Sequence, residues 1–292
     1  MRVLVLGVTG MLGNALYRYL CQDRDLEVWG TLRSDRGKGY FPEPLQACLV
    51  SGVDVLNLDS LTQVMLRSKP QVVINCVGMI KQLAGADDPL VALPLNSLLP
   101  HRLARLCAIA GSRLVHISTD CVFSGRRGGY TEADTSDAQD LYGKSKYIGE
   151  VNHLPHAITL RTSIIGHELN SNLALVDWFL SREGEVMGYA NALFSGLPTI
   201  ELARVIQQYV LPNNQLQGLY QVASEPIDKL ALLRLVAKEY AKDIVIHPDE
   251  RVCIDRSLDA TRFSQASGYV APQWPVLVKR MKHSRDNDFM VV

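Results

Sequence analysis

Tyr142 and Lys146 stand four residues apart in Tyr142-Gly143-Lys144-Ser145-Lys146, and residues at that spacing share one face of a helix. An ammonium beside a phenol stabilises the phenolate, so the spacing predicts a Tyr142 pKa below the ordinary tyrosine value of about 10. Such a phenol can pass a proton to, or take one from, a carbonyl or alcohol oxygen. Upstream, Ser118-Thr119-Asp120 follows the apolar run Leu114-Val115-His116-Ile117. A hydroxyl at the carboxyl end of a strand can hold a substrate oxygen against the phenol. Taken singly, the Tyr–Lys pair reads as a solvated helix face and Ser-Thr-Asp as a cap or turn. Their order behind a third feature makes them chemical. Gly7-Val8-Thr9-Gly10-Met11-Leu12-Gly13 follows the strand-like Val3-Leu4-Val5-Leu6 and leads into a stretch with Leu12, Leu16, Tyr19 and Leu20 on one helical face. A buried strand that turns sharply into a helix presents free N–H groups and a positive dipole end to a pyrophosphate, so Gly7, Thr9, Gly10, Met11, Leu12 and Gly13 are expected to bind a dinucleotide.

Positioning these groups requires a sheet. Apolar, β-rich runs near 2–6, 26–31, 71–77, 113–118 and 157–161 alternate with helical patterns near 11–22, 60–68, 95–110 and 143–152. This predicts an α/β fold: a Rossmann-type doubly wound parallel sheet, with ligands gathered at the carboxyl ends of its strands. Asn75, Ser118, Thr119 and Arg161 fall at such ends. Beyond residue 162 the pattern loosens, with Gly184, Gly188, Gly196 and Pro198 interrupting it before a helix-like 228–242. We read 1–162, with part of 195–220, as the dinucleotide-binding domain, and 163–292 as a smaller, discontinuous C-terminal substrate-binding lobe.

Composition narrows the partners. The 292 residues are 47% hydrophobic and 21% charged, enough apolar content for a large core, and the 30 basic and 30 acidic residues cancel. Net neutrality offers no broad attraction to nucleic acid or anionic membrane. The six cysteines lack a Cys-x-x-Cys pair and read as reduced thiols, and Pro155 between His153 and His156 argues against a zinc-type pair, so no metal is expected. The opening apolar run is too short for a signal peptide or a membrane span, which makes the expected location cytoplasmic.

The chain resembles the extended short-chain dehydrogenase/reductases, and more narrowly the dTDP-4-dehydrorhamnose reductase family of nucleotide-sugar 4-ketoreductases. The likeness rests on Gly7 to Gly13, on His116-Ile117-Ser118-Thr119-Asp120-Cys121-Val122-Phe123-Ser124-Gly125, and on Tyr130-Thr131-Glu132. It continues through Tyr142 to Lys146 with Gly149-Glu150, Leu160-Arg161-Thr162-Ser163, Pro198-Thr199 and Arg256-Ser257-Leu258-Asp259. It implies that Thr119 orients the substrate, with Ser118 the other eligible hydroxyl, that Tyr142 donates the proton, and that Lys146 tunes Tyr142 and binds the nicotinamide ribose. Two positions depart from the pattern: Cys121 where the family usually has tyrosine, which reshapes the sugar pocket, and Ser257 where proline usually follows the arginine.

At the end of the second strand Gly30-Thr31-Leu32-Arg33 has no carboxylate for ribose hydroxyls, and Arg33 can pair with a 2′-phosphate, so NADPH is expected ahead of NADH. The resemblance adds Asp54, with Val55, at the adenine. Asn75, Cys76, Val77 and Gly78 are expected along the cofactor, with Asn96 and Thr162 supporting it. Expected substrate contacts are Lys81, Thr119, Cys121, Asn170 and Asn172, with Arg256 or Arg262 on the pyrophosphate. Local likeness to reductases of UDP-N-acetyl 6-deoxy sugars favours a UDP-2-acetamido-4-keto-6-deoxyhexose, with dTDP-4-dehydrorhamnose as the other substrate, in surface-polysaccharide sugar biosynthesis; a homodimer is possible. Two alternatives stand beside this reading: an epimerase or dehydratase that retains NAD, and a non-catalytic cofactor-binding regulatory subunit like the relatives that regulate methionine adenosyltransferase.

Overall fold

The computed structural model describes residues 1–79 and 87–287; Lys81 lies outside these residues. In chain order the strands are β1 (Arg2–Leu6), β2 (Glu27–Thr31), β3 (Leu49–Val50), β4 (Val72–Asn75), β5 (Arg113–Thr119), β6 (Ala157–Thr162), β7 (Ile164–Ile165), β8 (Glu185–Phe194), β9 (Leu197–Pro198), β10 (Gly218–Gln221), β11 (Ile227–Asp228) and β12 (Val245–Asp255). The helices are α1 (Met11–Leu20), α2 (Glu43–Gln46), α3 (Leu58–Ser68), α4 (Pro89–Ala92), α5 (Leu99–Ala110), α6 (Leu141–Ile148), α7 (Leu175–Leu180), α8 (Thr199–Val205), α9 (Lys229–Glu239), α10 (Thr261–Ser267) and α11 (Trp274–Asp286).

Seven strands form one parallel sheet in the order β10-β6-β5-β4-β1-β2-β3. Val3, Leu4, Val5 and Leu6 of β1 are all fully buried, as a central strand covered on both faces requires. On α1, Leu12, Leu16, Tyr19 and Leu20 are buried, which matches the face read from their spacing. The chain reverses its direction of winding between β1 and β4, and in such sheets a crevice opens at that switch point, outside the carboxyl ends of the strands. The expected strands and crossover helices are present, which establishes the Rossmann-type architecture.

Three local features differ from the expectation. The two-residue β3 and the four-residue β10 extend the sheet at its edges, and runs that short carry no readable alternation. The helical segment before β5 starts at Pro89 and passes through a wide π-turn over Leu93–Leu98, where Pro94 has no N–H to give an ordinary helical bond. Finally, α6 stops at Ile148 because Gly149 caps it and Glu150 turns into the protein interior.

Residues after β6 return to the large sheet through α8, which packs on α1, and through β10. Glu201 of α8 accepts hydrogen bonds from Arg204, from Arg280 of α11 and from Tyr269, which fastens the C-terminal helix to this layer. A second sheet, β11-β8-β12, packs with α9. Among the described residues no helix is long and apolar enough to cross a membrane.

The turn from β1 to α1 depends on an absent side chain. A Cβ on Gly13 would lie 2.2 Å from the Gly7 carbonyl oxygen, and neither backbone can yield without opening the turn. Gly13→Ala should therefore lower unfolding stability by about 1–3 kcal/mol or more, read as a lower urea midpoint at unchanged m-value.

Candidate active site

The glycine loop leaves the first turn of α1 free for an anion. Gly7 sits at φ +84°, a left-handed conformation, and its N–H donates to Thr31 Oγ1 at 3.1 Å. Gly10 occupies the helix N-cap with no side-chain capping bond, and the first turn has no acidic residue. The N–H groups of Met11, Leu12 and Gly13 consequently meet no side-chain acceptor at the positive end of the helix. Thr9 is exposed and packs against Gly37 in the turn after β2. Arg33 is exposed in the same region, where the acidic neighbour Asp35 is already engaged by Lys38 and Ser51. The exposed Asp54 accepts from the Leu56 N–H at 2.9 Å, and Val55 beside it is half-buried.

Past β4, Asn75 and Asn96 shape the wall from within. The Asn75 carboxamide accepts from the Val77 N–H and donates to His116 Nδ1, both at 3.1 Å. Asn96 accepts from Met79 N–H at 2.9 Å and donates to Ser145 Oγ at 3.0 Å, so it ties the loop after β4 to α6. Cys76 and Val77 are half-buried, and burial pushes the Cys76 thiol pKa up to about 12, so it stays a thiol. Gly78 lies against Lys146: a Cβ there would be 3.7 Å from Nζ. Thr162 ends β6, buried beside Thr119 in the register of the sheet.

Asp140 caps α6 by accepting from the Gly143 N–H at 2.8 Å. The helix then runs so close to the turn after β5 that a Cβ on Gly143 would stand 2.2 Å from the Cys121 carbonyl oxygen. This approach brings the Tyr142 phenol within reach of the Thr119 hydroxyl, beside Cys121 and Asp120. Thr119 Oγ1 also donates to Asp120 at 3.1 Å and accepts from the Cys121 N–H. Ser118 points to the opposite face of the strand, as a period of two demands, and donates to Glu150 at 2.8 Å. Thr119, Tyr142 and Cys121 are therefore gathered at one place, and Ser118 is held at another.

The expected lowering of the Tyr142 pKa is not found. Burial raises it, Cys121 and Asp120 add to the rise, and the Thr119 contact only partly offsets them. The Lys146 ammonium instead donates to the Ile117 carbonyl at 2.7 Å, and burial brings its own pKa down to about 8, with Glu150 and Cys76 acting against the fall. Asp120 is likewise shifted upward by burial, opposed by Arg256 and by hydrogen bonds from Thr119, Cys121 and Ser163.

The cap side contributes a residue that no sequence motif flagged. Lys229, the first residue of α9, lies within electrostatic reach of Asp120, Cys121 and Arg256; burial lowers its pKa and Asp120 opposes the change. It also lines a cavity of about 600 Å³ with Leu175, Trp178, Met187, Tyr189 and Leu233. Arg256 donates to the Phe123 carbonyl at 2.8 Å and faces Asp120. Arg262 lies apart, exposed and stacked on the Tyr220 ring at 4.9 Å. Asn170 and Asn172 are exposed on a loop closed by Glu168, which accepts from the Leu173 and Ala174 N–H groups.

Sheet order, glycine turn and the Thr–Tyr–Lys cluster together define an α/β protein of the extended short-chain dehydrogenase/reductase class. Among solved structures, the dTDP-4-dehydrorhamnose reductase of Clostridium acetobutylicum ATCC 824 superposes with a TM-score of 0.80 at 20% identity, covering 98% of this chain and 100% of that one. The dTDP-4-dehydrorhamnose reductase of Bacillus anthracis str. Ames, in complex with NADP, gives 0.77 at 21% identity over 97% and 99%. A family model described as the RmlD substrate binding domain matches residues 1–253, and the chain belongs to that family. Of the curated relatives, the Danio rerio methionine adenosyltransferase 2 subunit beta is 33% identical over 172 residues, 58% of this chain and 49% of the relative. The dTDP-4-dehydrorhamnose reductase of Aggregatibacter actinomycetemcomitans is 23% identical over 305 residues, 96% and 98% of the two chains. The chain spans about half or less of the length of the first curated relatives it matches.

The two hydroxyls are separable by mutation. Thr119→Val, which keeps the shape and removes the group facing the phenol, should lower kcat on a keto substrate by about 10²-fold or more. Ser118→Ala should lose less than about tenfold, because its partner is Glu150; the reverse ranking in steady-state assays would exchange the roles.

Proposed function

We propose that this protein is an NADPH-dependent oxidoreductase that reduces the C4 keto group of a 4-keto-6-deoxy nucleotide sugar. The observation that carries the reading is the meeting of Thr119, Tyr142 and Lys146 at the end of β5, beside the crevice that opens from the glycine turn. The residues fit the cofactor: the bare Gly13 lets the turn close tightly on the Gly7 carbonyl, and the uncapped first turn of α1 offers its N–H groups to a diphosphate. Arg33, free of the nearby acidic group, would meet a 2′-phosphate, and Lys146 the nicotinamide ribose. Asp54 with Val55, and Cys76, Val77, Gly78 and Thr162, would line the rest. When bound, NADPH supplies the hydride.

The chain's own groups do the proton chemistry. Thr119 holds the substrate oxygen, and Tyr142, whose raised pKa keeps it protonated at neutral pH, gives its proton to the developing alkoxide. The Lys146 charge stabilises the phenolate that remains. Lys229 and Arg256 present two cations around one carboxylate, an excess suited to the diphosphate of the substrate, while Trp178 and Tyr189 offer apolar surface for its base. Cys121, adjacent to Tyr142, sets the floor of the sugar site. A UDP-2-acetamido-4-keto-6-deoxyhexose is the favoured substrate and dTDP-4-dehydrorhamnose the other, in surface-polysaccharide sugar biosynthesis. A homodimer would cover the exposed Leu98 and Ile109 of the α5 segment with Tyr147 and Ile148 of α6.

Likeness to methionine adenosyltransferase 2 subunit beta supports a second reading, a cofactor-binding regulatory subunit. One assay separates the two. NADPH absorbance should fall on addition of either 4-keto sugar nucleotide, Tyr142→Phe should cut kcat by about 10²–10⁴-fold, and Lys229→Ala should raise KM about tenfold. Lys146 loses its charge as the pH rises through about 8 while Tyr142 remains protonated, so kcat/KM should decline above that pH. No turnover on any keto sugar, with a partner enzyme co-purifying in fixed ratio, would replace the reductase reading with the regulatory one.

A further inference from the structure

We infer that Glu150 is a positioning residue that locks the helix bearing Tyr142 and Lys146 to the two strands behind them and supplies the counter-charge for the Lys146 ammonium. It rests on the reductase reading only for the roles of Tyr142 and Lys146. Its carboxylate accepts from Arg161 Nε and Nη2, each at 2.7 Å, and from Ser118 Oγ at 2.8 Å. Ser118 of β5 and Arg161 of β6 are register partners, so their side chains emerge on one face and converge on a single carboxylate delivered from the end of α6. The guanidinium is further held over the Phe123 ring at 5.1 Å, and Phe123 stacks on Tyr130 at 4.1 Å.

The Glu150 and Arg161 side chains are only 1% and 2% exposed. Stability alone is a poor reason for such a pair, because removing two charges from water costs about as much as their attraction returns, and apolar residues of like volume often serve as well. The nearby chemistry gives a better one. Lys146 is buried, with the Ile117 carbonyl as its hydrogen-bond acceptor. The titratable groups facing it are Glu150 beyond its own helix, Cys76 after β4 and His116 on β5. Burial holds Cys76 as a neutral thiol and lowers the His116 pKa so that it is neutral, which leaves Glu150, paired with the Arg161 guanidinium at 2.7 Å, as the acidic group facing the ammonium. Four residues beyond Lys146 on the chain, Glu150 is close enough to favour the ammonium, and Arg161 holds its carboxylate in place through two bonds. The same three bonds fix the end of α6 against β5 and β6, so the phenol at its start remains against Thr119.

The test reads the charge of Lys146 without any substrate. In protein labelled with ¹³C-lysine, with Lys146→Arg assigning the resonance, the Lys146 Cε signal is titrated in the unsubstituted protein and in Glu150→Gln, which keeps the shape and removes the charge. The Lys146 midpoint should fall by about one pH unit, a tenfold change in its protonation equilibrium. Where Glu150→Gln leaves the orphaned guanidinium too costly for folding, Glu150→Gln/Arg161→Gln replaces the whole pair with amides, and the midpoint should again fall. An unchanged midpoint in the folded variant, with only a lowered melting temperature, would make the pair purely structural and overturn the proposal. Failure of the reductase reading would appear separately, as absence of turnover by the unsubstituted enzyme.

Discussion

The close approach of α6 to the carboxyl end of β5 is the contact from which the rest of the site follows. At one end Gly143 lies against the Cys121 carbonyl, with no room for a Cβ, and at the other Glu150 is gripped by Ser118 and Arg161. Between them Lys146 reaches the Ile117 carbonyl, and just before Gly143, Tyr142 reaches Thr119. Asn96 adds a brace from the loop after β4, through Ser145 on the same helix. Loosening any of these holds would move the phenol and the ammonium together relative to the strand end.

Burial gives these groups their electrical character. The neutral phenol, an ammonium with a lowered pKa and a carboxyl with a raised one all reflect poor hydration, with each shift tempered by neighbours. The tyrosine shift keeps the phenol protonated, while the lysine shift works against the ammonium and is opposed by Glu150 and Cys76. Lys229 and Arg256 extend the charge pattern across to the cap, where a cavity with aromatic walls adjoins them.

Much of the architecture was legible because it rests on long periodic segments. The alternation of apolar runs and helical faces defined the central parallel sheet, and Gly7 to Gly13 marked its switch-point turn. Short elements were not legible: β3 and β10 acquire their place only by pairing with neighbours. At the site, the spacing of Tyr142 and Lys146 located the helix face, but spacing carries no information about hydration, and the direction of the tyrosine shift came out opposite. The Ser118–Thr119 choice needed the strand's facing, which one-residue differences in register would reverse. Lys229 had no motif to announce it, since its relation to Asp120 exists only across the packed lobes. Glu150 was visible as part of a resemblance but not as a charge partner, because Arg161 reaches it from another strand.

The central proposal is that the Tyr142 phenol, backed by Lys146, protonates a sugar oxygen, and that the glycine turn would hold the nicotinamide cofactor that supplies the hydride. Turnover with NADPH deuterated at the transferring C4 position, followed by mass spectrometry and NMR of the sugar, measures this most directly. The account predicts one deuterium per product molecule, on C4 of the sugar, in stoichiometric step with NADPH oxidation. A product with no deuterium, or sugar conversion without net consumption of NADPH, would contradict it.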